Sequence, residues 1–250
     1  MPPAAPRLLE VERVAKAFGG LRAVHDVSLA VADGELVGVM GPNGSGKTTL
    51  FNVIAGALRP DAGRVRLAGT DIAGWAPHRV CAAGIARTFQ LVRPFLNLTA
   101  RDNVLVGCLW GRARGSRAAA DAEADRLLAL VGLEGRGHLP AAALTLVERK
   151  RLELARALAT RPRLLLLDEF LAGLTPAETE AAMALVRRLR AEGLTILMVE
   201  HVVWALMALA DRIAVLSAGE KIAEGPPPVV AADPRVLEVY LGRAPGAARP

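Results

Sequence analysis

The run Gly41-Pro42-Asn43-Gly44-Ser45-Gly46-Lys47-Thr48 stands between an apolar stretch, Leu36 to Met40, and a helix-like stretch that opens at Lys47. The spacing GxxxxGK[ST] allows few folds. Its glycines let the backbone curl so that successive N–H groups point inward, at the positive end of the helix that follows. A buried strand, this loop and a helix are therefore expected in succession, with a nucleoside triphosphate as the ligand. Lys47 would reach the β- and γ-phosphates, and the Thr48 hydroxyl would ligate Mg²⁺. A glycine-rich surface turn is the bland alternative, and the order strand, loop, helix argues against it.

At 250 residues and 52% hydrophobic, the chain can bury a substantial core as one domain, with room for an inserted lobe. No apolar run approaches the roughly 20 residues that span a bilayer. Val202 to Ala210, among the longest, ends at Asp211. Met1 to Arg7 lack the apolar centre of a signal peptide. A soluble cytoplasmic protein is expected, reaching a membrane only through a partner. Cys81 and Cys108 lie outside any C-x-x-C or Cys/His cluster and are expected to be buried free thiols. The net charge of +6 comes from arginines scattered among acids, as in Arg149-Lys150-Arg151 followed by Glu153 and Arg156. A solvated helix face accounts for that pattern, and nucleic acid is not an expected partner.

From about Leu8 to Gly69 the chain reads as β-rich, with alternation in Val27-Ser28-Leu29-Ala30-Val31 and turns at Asp33-Gly34 and Pro60-Asp61-Ala62-Gly63. Thr99 to about Gly132 turns helical, with Thr99 and Asp102 as a helix start and Gly111 to Ser116 as a flexible break. Further on come a helix from about Leu146 to Ala159, a buried strand Leu164 to Leu167, a helix from about Pro176 to Ala191 and a strand Leu194 to Val199. A last helix is expected over Val229 to about Leu241. Alternating helices and continuous apolar strands indicate an α/β fold with a parallel sheet covered on both faces.

Asp168 and Glu169 end the buried run Leu164 to Leu167, at the edge where the phosphate-loop strand of a parallel sheet also ends. Asp168 can hold Mg²⁺ there, and Glu169 can polarise the water that attacks the γ-phosphate. His201 follows the next buried strand, and its imidazole could hydrogen-bond the γ-phosphate. Gln90 lies where the chain leaves the sheet for the helical segment, placed to touch Mg²⁺ and the attacking water.

With these residues in view, the chain resembles the ATP-binding subunits of ABC transporters from about Leu8 to Gly242. The resemblance implies a P-loop NTPase fold with an N-terminal antiparallel β subdomain, a helical lobe inserted at about residues 91–160 and a flexible tail at 243–250. It also implies that Phe18 stacks on adenine with Val24 nearby, and that Gly41 to Thr49 hold ATP and Mg²⁺. Thr48, Gln90 and Asp168 would serve the metal, with Glu169 as catalytic base and His201 as the switch histidine. Phe18-Gly19-Gly20-Leu21-Arg22-Ala23-Val24, Ala86-Arg87-Thr88-Phe89-Gln90, Leu96 to Val104 and Glu238-Val239-Tyr240-Leu241-Gly242 are similar to the branched-chain amino acid importers. Amide or urea importers, lipopolysaccharide-export ATPases and non-transport ABC-type ATPases are the alternatives. Implied partners are membrane permease subunits, a second ATPase subunit, identical or not, and indirectly a solute-binding protein. The place of work would be the inner face of the plasma membrane.

Two segments depart from the family pattern. Where Leu-Ser-Gly-Gly-Gln is usual, this chain has Leu144-Thr145-Leu146-Val147-Glu148. Thr145, Val147 and Glu148 would face the nucleotide of the opposite subunit. Thr145 can replace the serine hydroxyl and form a T-x-x-E capping box with Glu148, whereas the β-branched Val147 would hold phosphate at a greater distance. After Glu169, Phe170 stands where proline is usual, and Thr175 where an acid or amide is usual.

Overall fold

The computed structural model describes residues 6–89, 92–112 and 116–241. Gln90 and the tail 243–250 lie outside the described residues, as does part of the break expected at Gly111 to Ser116. Within them the chain divides into two compact units, one of residues 6–75 with 195–241, the other of residues 76–194.

In the first unit, β1 (Arg7–Phe18) and β2 (Leu21–Ala32) form a long hairpin, in which Val27, Leu29 and Val31 recur at every second residue and are buried, and Val24 is buried beyond a register shift. β3 (Leu36–Met40) is buried throughout and leads through the glycine loop into α1 (Lys47–Ile54). β4 (Ala62–Leu67) and β5 (Thr70–Asp71) complete an antiparallel sheet of order β2-β1-β4-β5.

The second unit begins with α2 (Pro77–Ala83) and β6 (Ile85–Arg87). α3 (Ala100–Trp110) and α4 (Arg117–Leu130) follow, each opened by a hydroxyl cap: Thr99 Oγ1 accepts from Asp102 N, and Ser116 Oγ from Ala119 N. α5 (Leu146–Ala159) packs against both, and β7 (Leu164–Asp168) runs parallel to β6. α6 (Pro176–Ala191) closes the unit. Cys108 is buried as expected, but Cys81 is only half-buried; both are free thiols that burial pushes up in pKa.

The chain then returns to the first unit with β8 (Thr195–Val199), α7 (Val203–Leu209), β9 (Arg212–Ser217) and β10 (Glu220–Gly225). β8 and β9 flank β3 in parallel, and β10 joins β9 antiparallel. The helix expected over Val229 to Leu241 is two: α8 (Pro227–Ala231) and α9 (Pro234–Leu241). Pro234 lacks an N–H and disfavours helix at Asp233, whose carboxylate instead accepts from Arg235 N at 2.9 Å. Among the described residues, no helix is long and apolar enough to cross a membrane.

Candidate functional site

The loop between β3 and α1 is tight because two of its glycines have neighbours where a side chain would begin. A Cβ on Gly41 would stand 2.1 Å from the Leu216 carbonyl oxygen, and one on Gly46 2.3 Å from that of Ala23. Both glycines have positive φ, 151° and 100°. Ser45 N donates to Pro42 O, and Gly219 N to Ser45 O, so the curl is tied at its own turn and to the β9-β10 hairpin. Lys47 is 5% exposed, and its ammonium donates to the carbonyls of Gly41 at 2.7 Å and Pro42 at 2.9 Å. The cation therefore sits inside the curl, at a helix end whose first N–H groups have no intrahelical acceptor. Thr48 is exposed beside it and Thr49 half-buried, while Asn43 and Gly44 form the exposed crest. Val24 lies under this loop, its methyl 3.5 Å from the Cβ position of Gly46.

Phe18, which its residue type alone would place in a core, is 47% exposed at the end of β1, with the Lys16 ammonium 5.8 Å from its ring centre. His201 is exposed in the turn between β8 and α7. Tyr240 of α9 makes a backbone contact with Gly41, and burial pushes its hydroxyl up in pKa.

In the second unit, Asp168 is the last residue of β7 and is 1% exposed. Its Oδ2 accepts from Arg87 at 2.6 Å, and its Oδ1 has no hydrogen-bond partner among the described residues. A buried carboxylate oxygen with remaining acceptor capacity fits a hard cation. Among the described residues no three His, Cys, Asp or Glu side chains converge, so such a cation would take its other oxygens elsewhere, as Mg²⁺ does from phosphates and water. Glu169 follows with φ at +52°, a conformation that costs a non-glycine residue on the order of 1–2 kcal/mol.

Each of the two departing segments contains a helix cap. Thr145 Oγ1 accepts from Glu148 N at 3.2 Å while the Glu148 carboxylate accepts from Thr145 N at 2.9 Å. The same reciprocal pair joins Thr175 and Glu178 at the start of α6. These N–H groups, chiefly, hold both carboxylates below the usual range. Glu148 also meets Arg136 at 3.3 Å, so its charge is balanced locally. Val147 is half-buried and, with Lys150, Phe170 and Leu174, lines an open cavity of about 200 Å³.

The expectation of a solvated face on α5 fails at Lys150 and Glu153, which are buried. Lys150 donates to the carbonyls of Glu169, Phe170 and Ala172. Glu153 accepts from Phe89 N and Arg93 N, the residues that bracket Gln90, and burial raises its pKa. Backbone groups thus replace the water those charges would lose. Their spacing was the available signal: Lys150, Glu153, Leu154 and Ala157 share one helical face. Arg87 and Asn103 also escaped sequence reasoning. Asn103 is fully buried and exchanges hydrogen bonds with the backbone of Phe95, whose ring and its neighbour Leu96 are nonetheless 49% and 46% exposed.

A glycine-curled loop at a helix N-terminus, with a lysine inside it, and two acids ending a second buried strand define a P-loop nucleoside triphosphatase. Residues 24–172 match the family described as ABC transporter, and residues 220–245 match the one described as branched-chain amino acid ATP-binding cassette transporter. The chain belongs to the ABC transporter family and is an ATPase of it. It is 39% identical to the high-affinity branched-chain amino acid transport ATP-binding protein BraF of Pseudomonas aeruginosa, over 95% of this chain and 98% of that one. The corresponding LivG protein of Escherichia coli is 36% identical over the same shares. Among solved structures, an ATP-binding cassette of an ABC transporter in its ADP conformation superposes with a TM-score of 0.85. It is 32% identical, and the match covers 95% of this chain and 99% of that one. A dimeric cassette bound to ADP and Pi gives 0.79 at 27% identity, over 87% and 98%.

Proposed function

We propose that this ATPase powers the import of branched-chain amino acids through membrane permease subunits, paired with a second ATPase subunit. The observation that carries the nucleotide site is the Lys47 ammonium held inside a loop that admits no side chain at Gly41 or Gly46. Phosphate oxygens would take over the hydrogen bonds that Lys47 now gives to carbonyls, with the loop N–H groups and the α1 dipole adding to the attraction. Phe18 offers an exposed face for adenine, and Val24 supports the loop from below. Thr48, Asp168 and Gln90 would hold Mg²⁺, which when bound neutralises charge on the β- and γ-phosphates. Glu169 would accept the proton of the attacking water, and His201 would hydrogen-bond the γ-phosphate. Thr145, Val147 and Glu148 would present the start of α5 to the partner subunit's nucleotide. Phe95 and Leu96, fixed in backbone and half-exposed in side chain, would receive a permease. The solute reading rests on the similarity to BraF and LivG, and attachment at the inner face of the plasma membrane rests on the permease.

The test is ATP binding, ATP hydrolysis and leucine uptake by the complex reconstituted with its permeases in vesicles. Lys47→Ala should lower ATP affinity on the order of a hundredfold and abolish hydrolysis. Glu169→Gln should retain ATP binding and keep only a small residual rate of hydrolysis. Wild-type turnover in Glu169→Gln would remove Glu169 as the base, and leucine uptake indifferent to ATP would remove the solute reading.

A further inference from the structure

The turn that carries Glu169 has an unusual support. Glu169 has φ at +52°, and its carbonyl, with those of Phe170 and Ala172, points at one side chain: Lys150 of α5, at 3.3, 3.2 and 2.5 Å. Converging carbonyl dipoles repel one another unless a donor lies between them, and an ammonium brings three N–H donors. Lys150 is 9% exposed, so this cation acts where water screens it little. Phe170 and Leu171 are buried beside the turn, and Ala172 N donates back to Glu169 O at 3.2 Å. Glu169 is thus the half-buried end of a turn gripped from within.

We propose that Lys150 is a positioning residue for ATP hydrolysis: by gathering the carbonyls of Glu169, Phe170 and Ala172 it holds Glu169 in the left-handed backbone conformation that aims its carboxylate at the attacking water. This rests on the reading of Glu169 as the base. A backbone conformation that an L-residue rarely adopts persists only where its surroundings enforce it, and Lys150 is the enforcing group. Lys150 also lies one turn into the helix that Thr145 and Glu148 open, so the start of α5 and the Glu169 turn are joined through one side chain.

The experiment is a double-mutant cycle on the assembled transporter, combining Lys150→Met with Glu169→Gln. Binding of a fluorescent ATP analogue and thermal unfolding are followed beside single-turnover hydrolysis. Lys150→Met should lower kcat on the order of ten- to a hundredfold, with KM for ATP and analogue affinity unchanged. Lys150→Arg should restore most of the rate, since the adjoining cavity of about 200 Å³ leaves room for a guanidinium. In the Glu169→Gln background the lysine substitution should lower the residual rate no further, because Lys150 acts through Glu169. A full multiplicative loss in that background, or a wild-type rate in Lys150→Met, overturns the proposal while leaving the base assignment intact. Wild-type hydrolysis by Glu169→Gln alone instead overturns the base assignment. If Lys150→Met does not unfold cooperatively, Lys150→Gln, whose amide keeps two donors, enters the same cycle under the same criteria.

Discussion

The phosphate loop and the start of α5 both present backbone N–H groups at a helix N-terminus, yet they are held by opposite means. The loop is fixed by what is missing: Gly41 and Gly46 press their backbones against the Leu216 and Ala23 carbonyls, where no side chain fits. The start of α5 is fixed by what is present, the reciprocal bonds of Thr145 and Glu148 and the ion pair to Arg136. A loop built on close backbone approach has one solution. A helix start built on side-chain caps has several, and there the sequence departs from its family without losing the helix.

Gly41→Ala carries the largest expected effect. Its Cβ would fall 2.1 Å from the Leu216 oxygen, and destabilisation of about 3 kcal/mol is expected by urea unfolding, together with loss of ATP binding. A variant as stable as wild type would mean the loop can relax as α5 can. Thr145→Ala should cost only about 1 kcal/mol, the usual worth of a helix cap. Nucleotide binding by the chain's own loop should stay unchanged, as read by titration of the isolated subunit.

Val147→Gly gives the start of α5 what holds the phosphate loop, a backbone without a side chain. Glycine costs roughly 0.5–1 kcal/mol of helix stability and frees the amide for closer approach to the opposite nucleotide. Tighter ATP-dependent dimerisation in sedimentation or faster turnover is expected if Val147 keeps phosphate at a distance. Equal or lower turnover with no tighter dimer would mark Val147 as a fitted alternative.

The smallest effects concern two acids on α5 with opposite signs. Backbone N–H groups hold the Glu148 pKa down, so its stabilisation is present above the unfolded value of about 4.3 and is lost as pH falls through the lowered folded value. Burial raises the Glu153 pKa, so its favourable contribution is present below about 4.3 and is lost as pH rises through the folded value. Thermal unfolding should show wild type losing its advantage over Glu148→Gln as pH drops below 5. Against Glu153→Gln, wild type should lose ground as pH rises above 4. Parallel pH curves for the two variants would contradict the opposed environments.

Local signals carried much of this molecule. The glycine loop, the strand ending at Asp168, and the boundaries of α5 and α6 all follow from periodicity, caps and a buried apolar run, each written within a few adjacent residues. The split at Pro234 was equally local in chemistry, and the apolar residues on either side of it, Val229, Val230, Val236 and Leu237, obscured it. Less legible were α2, β6, α7, β9 and β10, short elements whose patterns are weak until neighbouring strands bury them. The exposure of Phe18 also depends on where a hairpin ends, which its residue type does not reveal.

Chemistry that acts over short chain separations is legible in the sequence: glycines that permit a curl, a lysine that fills it, hydroxyl and carboxylate pairs that open helices. Which charges are buried, and what they hold, follows from packing between distant segments. Lys150 meets carbonyls some twenty residues along the chain, and Arg87 reaches Asp168 across more than eighty. Glu153 grips backbone about sixty residues upstream. Such partners are chosen by strand pairing and helix packing. Burial then makes each pairing obligatory, because a charge removed from water must find its hydrogen bonds within the protein.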